Sequence, residues 1–274
     1  KEKSDDIEFE IELSDKTTRW VLGTMNQSKN TKEYILVLHD ITQLRSFSSM
    51  RRDFISNLSH ELRTPVSVIR ANSETLIDGA LDDKKQAKVF AKAILHNAER
   101  LTDMVSSLLD LSRIEYGELK LNFQEIDLNS FFENFISSIS NLSKKKNINI
   151  LYKPNHDGLV KGDLQAIERI MNNLIDNAIK YSDEGSDIEI STVNDEKYIK
   201  VMVADSGSGI SEEDQDHIFS RFYRTASARA TDNQGSGLGL AIVKHLVNNL
   251  NGDVGIDSKE QSGSIFWFSL PKTQ

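Results

Sequence analysis

Between Phe47 and Leu111 the apolar residues fall at steps of mostly three or four, in two long runs, and that spacing leaves little choice of fold. The first run is Phe47, Met50, Phe54, Leu58, Leu62, Pro65, Ile69 and Leu76, with a four-residue stutter around Leu58. A loop containing Gly79 follows. The second run is Phe90, Ile94, Ala98, Leu101, Val105, Leu108 and Leu111, and it closes at Gly117, a residue suited to ending a helix. Two amphipathic helices joined by a short loop make an antiparallel hairpin. One hairpin leaves much of its apolar surface open. A second copy covers it, so the expected assembly is a dimeric four-helix bundle.

The flanking segments change period. Residues 1–45 read as strands: IEFEIEL alternates over Ile7, Phe9, Ile11 and Leu13, and RWVLGTMNQ and EYILVLHDIT follow around a polar SKNTK turn. Three strands close no core of their own. They are expected to be the end of a sheet domain that starts upstream, and the chain, which begins at a lysine in mid-pattern, to be a fragment. Residues 118–274 mix both periods and predict an α/β sandwich. Asp163 is placed to cap a helix running through Ile167, Ile170, Met171, Leu174, Ile175 and Ala178. DIEIST and YIKVMVAD alternate as strands, SEED at 211–214 resembles a capping box, and DVGID and SIFWFSL close the domain. Lys144 to Lys146 reads as a solvated charged loop. The expected divisions are therefore 1–45, 46–117 and 118–274.

Bulk properties narrow the function classes. A net charge of -9 argues against a broad nucleic-acid interface. The absence of cysteine removes disulfides and thiolate metal sites. No apolar run reaches the ~20 residues of a membrane helix.

Four polar constellations carry the candidate chemistry. His60 lies two positions from both Leu58 and Leu62, so it should face away from the apolar stripe and into solvent. Glu61 beside it can orient the imidazole and accept its proton. Pro65 supplies no N–H and should loosen the helix there. In NNLIDNAIKYS, Asn173 and Asn177 share a helix face with Lys180 and Tyr181 one turn on. An amide oxygen suits Mg²⁺ and a lysine suits phosphate. In VMVADSGSGI, Asp205 ends a strand and can accept a hydrogen bond from an amino group, while Gly207 and Gly209 permit a tight turn. In NQGSGLGLAIVK, Gly235, Gly237 and Gly239 lead into a helix whose free N–H groups can face phosphates. Between the last two lies IFSRFYRTASARATDNQ, whose composition suits a mobile lid rooted by Phe219, Phe222 and Tyr223. Arg221 or Arg224 is placed to reach a terminal phosphate. Each constellation alone also fits a bland reading as a solvated face or an ordinary turn.

Taken in order, the motifs resemble those of bacterial two-component sensor histidine kinases. SHELRTP resembles the H box, NNLIDNAIKYS the N box, DSGSG the first glycine box, FSRFYR the F box and GSGLGLAI the second glycine box. The likeness spans roughly residues 46–272 and is most similar to kinases of the phosphate-sensor (PhoR) type. It implies a phosphotransfer hairpin followed by an ATP-binding sandwich of the kind shared with Hsp90, gyrase and MutL. His60 would then be the phosphoacceptor and Glu61 its base, with Thr64 positioning water for dephosphorylation of a response regulator. Asn177 would bind Mg²⁺, with Asn173 nearby. Lys180, Tyr181 and Arg224 would serve the phosphates of ATP, and Asp205 the adenine. Gly207, Gly209, Gly235, Gly237, Leu238 and Gly239 would line the nucleotide. The strands of residues 1–45, ending in LHDIT, are similar to the end of a PAS sensor domain. The implied partners are a second copy of the hairpin and a response-regulator receiver domain. The implied location is cytoplasmic, with any anchor in the cell membrane lying upstream. An ATP-driven clamp of the Hsp90 or MutL type would share the N and glycine boxes, but it leaves His60 and Glu61 without a purpose.

Overall fold

The structure is a computed structural model and describes residues 5–12, 18–27, 34–115, 118–144, 146–154, 158–231 and 235–273. Leu13, the SKNTK turn, Gly117, Lys145, Asn233 and Gln234, all named above, lie outside the described residues. The chain divides into two compact units, residues 1–62 and 63–274.

The first unit opens with a three-stranded antiparallel sheet in the order β1-β2-β3, with β1 at Asp5–Glu12, β2 at Thr18–Gln27 and β3 at Tyr34–Asp40. All of β3 is exposed, including Tyr34, Ile35, Leu36, Val37 and Leu38. A sheet this small has too little apolar surface opposite it to bury both faces.

Helix α1 runs over Thr42–Ile77 and starts five residues before the predicted Phe47. The reason is a cap that apolar spacing does not reveal. The Thr42 N–H donates to Asp40 Oδ1 at 3.0 Å, while Asp40 Oδ2 accepts from Arg19 at 2.7 Å. The Trp20 N–H donates to Thr42 Oγ1 at 2.8 Å, and the Arg45 guanidinium lies 4.1 Å over the Trp20 ring. Hydrogen bonds from Thr42, followed by the one from Arg19, hold the Asp40 carboxyl down at about 2. Strand end and helix start are thereby joined as one polar knot.

The second unit carries α1 onward through Pro65, which is buried inside an unbroken helix. After Gly79 and a 3-10 turn at Ala80–Asp82, α2 runs over Lys84–Glu115. Its buried stripe departs from the expected one. Ala98 and Val105 are exposed, and burial in the last turns falls on Met104, Leu111 and Ile114. The cause is tertiary: this end of α2 packs on α7 (Gly239–Asn249), and Asp110 pairs with Arg169 of α4 (Leu164–Tyr181).

Around these lie β4 (Gln124–Asp127), α3 (Leu128–Lys144), β5 (Asn149–Lys153), β6 (Leu159–Gly162), β7 (Asp187–Asn194) and β8 (Tyr198–Asp205). The short helices α5 (Glu212–Gln215) and α6 (Ala226–Thr231) precede α7, and β9 (Val254–Ser258) and β10 (Ser264–Pro271) close the chain. The main sheet has the order β5-β7-β8-β10-β9 and is antiparallel except for β5 against β7. Its inner face offers Ile188, Ile190, Val201, Val203 and Phe268, all fully buried. The opposing helices supply Phe132 from α3, Ile167, Ile170, Met171 and Leu174 from α4, and Leu246 and Val247 from α7. At ~25 cal/mol per Å² of apolar area, this two-layer core is the main stabilising contribution of the domain.

Candidate functional site

Helix α4 is the spine of the site. Asp163 caps it: its Oδ1 accepts from the Ala166 N–H at 2.8 Å, as the sequence predicts. Its other oxygen accepts from the Asn122 N–H at 2.7 Å and ties the segment after α2 to the same helix. The apolar side of α4, from Ala166 to Ala178, is buried in the core. The opposite side therefore presents Asn173, Asp176, Asn177 and Lys180, spaced three and four residues apart, to one cavity.

The cavity measures about 290 Å³. The structure gathers into its lining Asn173, Asn177, Lys180, Tyr181, Asp205, Gly209, Arg224, Gly235, Gly237 and Gly239 of the predicted residues. Gly207 and Leu238 flank it. The Gly207 N–H donates to Asp205 Oδ1 at 2.9 Å, and Leu238 is fully buried, so its side chain belongs to the core. Arg224 is part of the lining and Arg221 is not. His60, Glu61 and Thr64 lie on α1, with His60 and Thr64 exposed.

One end of the cavity is cationic. A methyl group built on Gly235 would sit 2.9 Å from Lys180 Nζ, 3.5 Å from Arg224 Nε and 3.6 Å from the Tyr181 hydroxyl. Three anion-binding groups thus converge on a residue that has no side chain to block them. Burial, followed by the nearby Arg224 and Arg100 charges, pushes the Lys180 ammonium down to about 8. Cations crowded in this way are relieved by an anion. Asp205 closes β8 and also lines the cavity, and burial raises its carboxyl above the usual range. Ile210, Ile218 and Phe266 give the cavity apolar walls. The arrangement suits a ligand with an anionic end and a flat apolar body that carries a hydrogen-bond donor.

The fit to a divalent cation rests on Asn177. Among the described residues no group of three or more His, Cys, Asp or Glu side chains is arranged to hold a metal. An amide oxygen beside a phosphate site suits Mg²⁺, which takes few protein ligands and completes its shell with phosphate and water.

Sequence reasoning missed the apolar walls and, among the charged groups, two contributors. Lys146, read as a solvated loop residue, instead donates to the carbonyls of Ile179 and Lys180 at 2.8 and 2.9 Å and caps the end of α4. Nothing local in KKK reveals that a distant helix ends beside it. Asp176 also lines the cavity. Its position four residues before Lys180 is a legible helical acid–base pair.

Residues 50–117 match the His Kinase A (phospho-acceptor) domain, and residues 162–274 the histidine kinase-, DNA gyrase B-, and HSP90-like ATPase domain. The sensor-like histidine kinase SenX3 of Mycobacterium tuberculosis is 37% identical over 86% of this chain and 58% of its own length. The sensor histidine kinase WalK of Bacillus subtilis is 34% identical over 98% of this chain and 45% of its own length. The chain therefore spans about half the length of these relatives. Among solved structures, the Acinetobacter baumannii histidine kinase AdeS aligns with a TM-score of 0.63 at 28% identity, covering 78% of this chain and 98% of that one.

Proposed function

The chain belongs to the sensor histidine kinases of bacterial two-component systems, and on that premise we propose that it phosphorylates His60 from ATP and passes the phosphoryl group to an aspartate of a response regulator. The observation that carries this reading is the convergence of Lys180, Arg224 and Tyr181 on Gly235, in a cavity that Asp205 also lines.

In this reading Lys180, Tyr181 and Arg224 bind and orient the phosphates of the ATP substrate. Asp205 accepts from the adenine amino group, and Ile210, Ile218 and Phe266 exclude water from the base. Asn177, with Asn173 beside it, would hold Mg²⁺, which supplies charge neutralisation at the phosphates when bound. The exposed imidazole of His60 attacks the γ-phosphorus. The N–P bond forms as the bond to the β,γ-bridging oxygen breaks, ADP departs, and Glu61 takes the ring proton. Catalysis is then mostly positioning and electrostatics.

Thr64 lies one helical turn from His60 and is exposed, which supports a second activity on the same face: positioning water to dephosphorylate the regulator. Val66, Val89, Leu95 and Leu109 of the hairpin are each about half exposed or more, which supports pairing with a second copy. Residues 1–45 would be the end of a PAS-like sensor segment, 46–117 the dimerisation and phosphotransfer hairpin and 118–274 the ATP-binding domain. No described helix is long and apolar enough to cross a membrane.

The test is incubation with γ-labelled ATP and Mg²⁺, followed by acid and base treatment. Label that survives base, is lost in acid and is absent from His60→Gln is the expected result. ADP and free phosphate without labelled protein would favour an ATPase clamp instead.

A further inference from the structure

The chain leaving α5 passes through a backbone conformation that bulky residues seldom adopt. Phe222 has φ 59 and is only 7% exposed. A buried aromatic residue in the left-handed region is strained and persists only where its surroundings determine it. Here the neighbours on both sides are held. The Phe222 N–H donates to the Gly237 carbonyl at 2.8 Å, and Gly237 itself has φ 68. A methyl group on Gly237 would lie 2.7 Å from the Phe222 carbonyl carbon, so the two segments touch backbone to backbone. One residue on, the Tyr223 hydroxyl donates to Asp214 Oδ1 at 2.6 Å, a charge-assisted bond, and the Tyr223 ring lies 5.6 Å from that of His217. Asp214 is anchored in turn. Its Oδ2 accepts from the Ser211 hydroxyl at 2.9 Å, and its carbonyl accepts from the His217 and Ile218 N–H groups at 2.9 and 3.0 Å. The residue that follows Tyr223 is Arg224, one of the three groups that converge on Gly235.

We propose that Asp214 is a positioning residue for the phosphoryl-transfer site: through Tyr223 it fixes the root of the segment over the cavity, and so determines where Arg224 stands relative to the phosphates. This rests on the nucleotide-binding reading of the cavity. The rival account is that Asp214 only completes the cap of the one-turn helix α5, since its N–H also donates to Ser211 Oγ. The two accounts separate cleanly. Ser211→Ala removes the cap and leaves the Tyr223 bond. Tyr223→Phe removes the bond and leaves the cap. Asp214→Asn keeps an acceptor, and Asp214→Ala removes it.

The experiment measures hydrogen–deuterium exchange of residues 221–231 with and without a non-hydrolysable ATP analogue, alongside analogue affinity and the kcat and KM of His60 labelling. Tyr223→Phe and Asp214→Ala should raise exchange in the bound state and lower kcat about tenfold, with KM and affinity changed by no more than about threefold. The double variant should be no worse than either single one, Asp214→Asn should restore most of the rate, and Ser211→Ala, which loses the cap and one bond to Asp214 but keeps the Tyr223 bond, should fall well short of the Asp214→Ala defect. Multiplying effects in the double variant, unchanged exchange and kcat, or a Ser211→Ala defect equal to that of Asp214→Ala would each overturn the proposal while the functional reading stands. A parent protein that binds no analogue would overturn both. A parent that binds the analogue without labelling His60 would sink only the kinase reading, and the exchange arm would still decide the role of Asp214.

Discussion

The Lys146 ammonium donates to the backbone carbonyl of Lys180 at 2.9 Å, so one lysine closes the helix that aims the other into the cavity. A cation at a helix C-terminus satisfies an unpaired carbonyl and meets the negative end of the helix dipole. Lys146→Met should therefore lower the stability of the ATP-binding domain by about 1–2 kcal/mol, read by urea unfolding. It should also weaken nucleotide binding, read by calorimetry. Unchanged affinity would separate the cap from the site.

The Lys180 ammonium gives the site a pH signature. Its pKa in the folded domain is about 8, below the ordinary 10.5. The folded domain thus carries a cost below pH 8 that is relieved as pH rises from 8 towards 10.5. Bound phosphate reverses the preference by stabilising the protonated form. Nucleotide affinity should be level below about pH 7 and fall above about 8, by at most about tenfold per pH unit. Lys180→Met should bind weakly with a flat profile. A parallel fall in that variant would assign the titration elsewhere.

Asp163 is 8% exposed and serves two backbone donors, Ala166 N at the helix start and Asn122 N in the segment after α2. Replacing it with alanine should cost about 2–3 kcal/mol, a helix cap plus a second buried donor left unmatched. Asp163→Asn should recover part of that. A loss below about 0.5 kcal/mol would mean that water takes over both bonds.

Pro65 has no N–H to offer the carbonyl of Glu61, four residues earlier and next to His60. Pro65→Ala restores that donor and should stiffen α1 at this point. The expected outcome is a change in the ratio of autophosphorylation to regulator dephosphorylation that exceeds any change in ATP affinity. Equal shifts in all three quantities would remove the proline from any switching role.

Most of the candidate site was legible because its chemistry sits in short, ordered stretches. Asn173, Asn177 and Lys180 share a face by helical spacing alone, Asp205 is marked by the end of an alternating strand, and Gly235 to Gly239 by their place before a helix. The start of α1 at Thr42 was not legible, because a side chain of the preceding strand and Arg19 from β2 set it rather than apolar period. Nor was the burial of Met104 and Ile114 in place of Val105, since the rotation of α2 answers to α7, far along the chain.

The sequence by itself determined the element types, the family resemblance and most of the charged groups that line the cavity, because periodicity and residue chemistry are local properties. Only the tertiary structure decided which arginine of the FSRFYR stretch lines the cavity, that Lys146 supports Lys180, and that Tyr223 leans on Asp214. Those choices depend on distances between segments that are remote in the chain, and no local spacing encodes them.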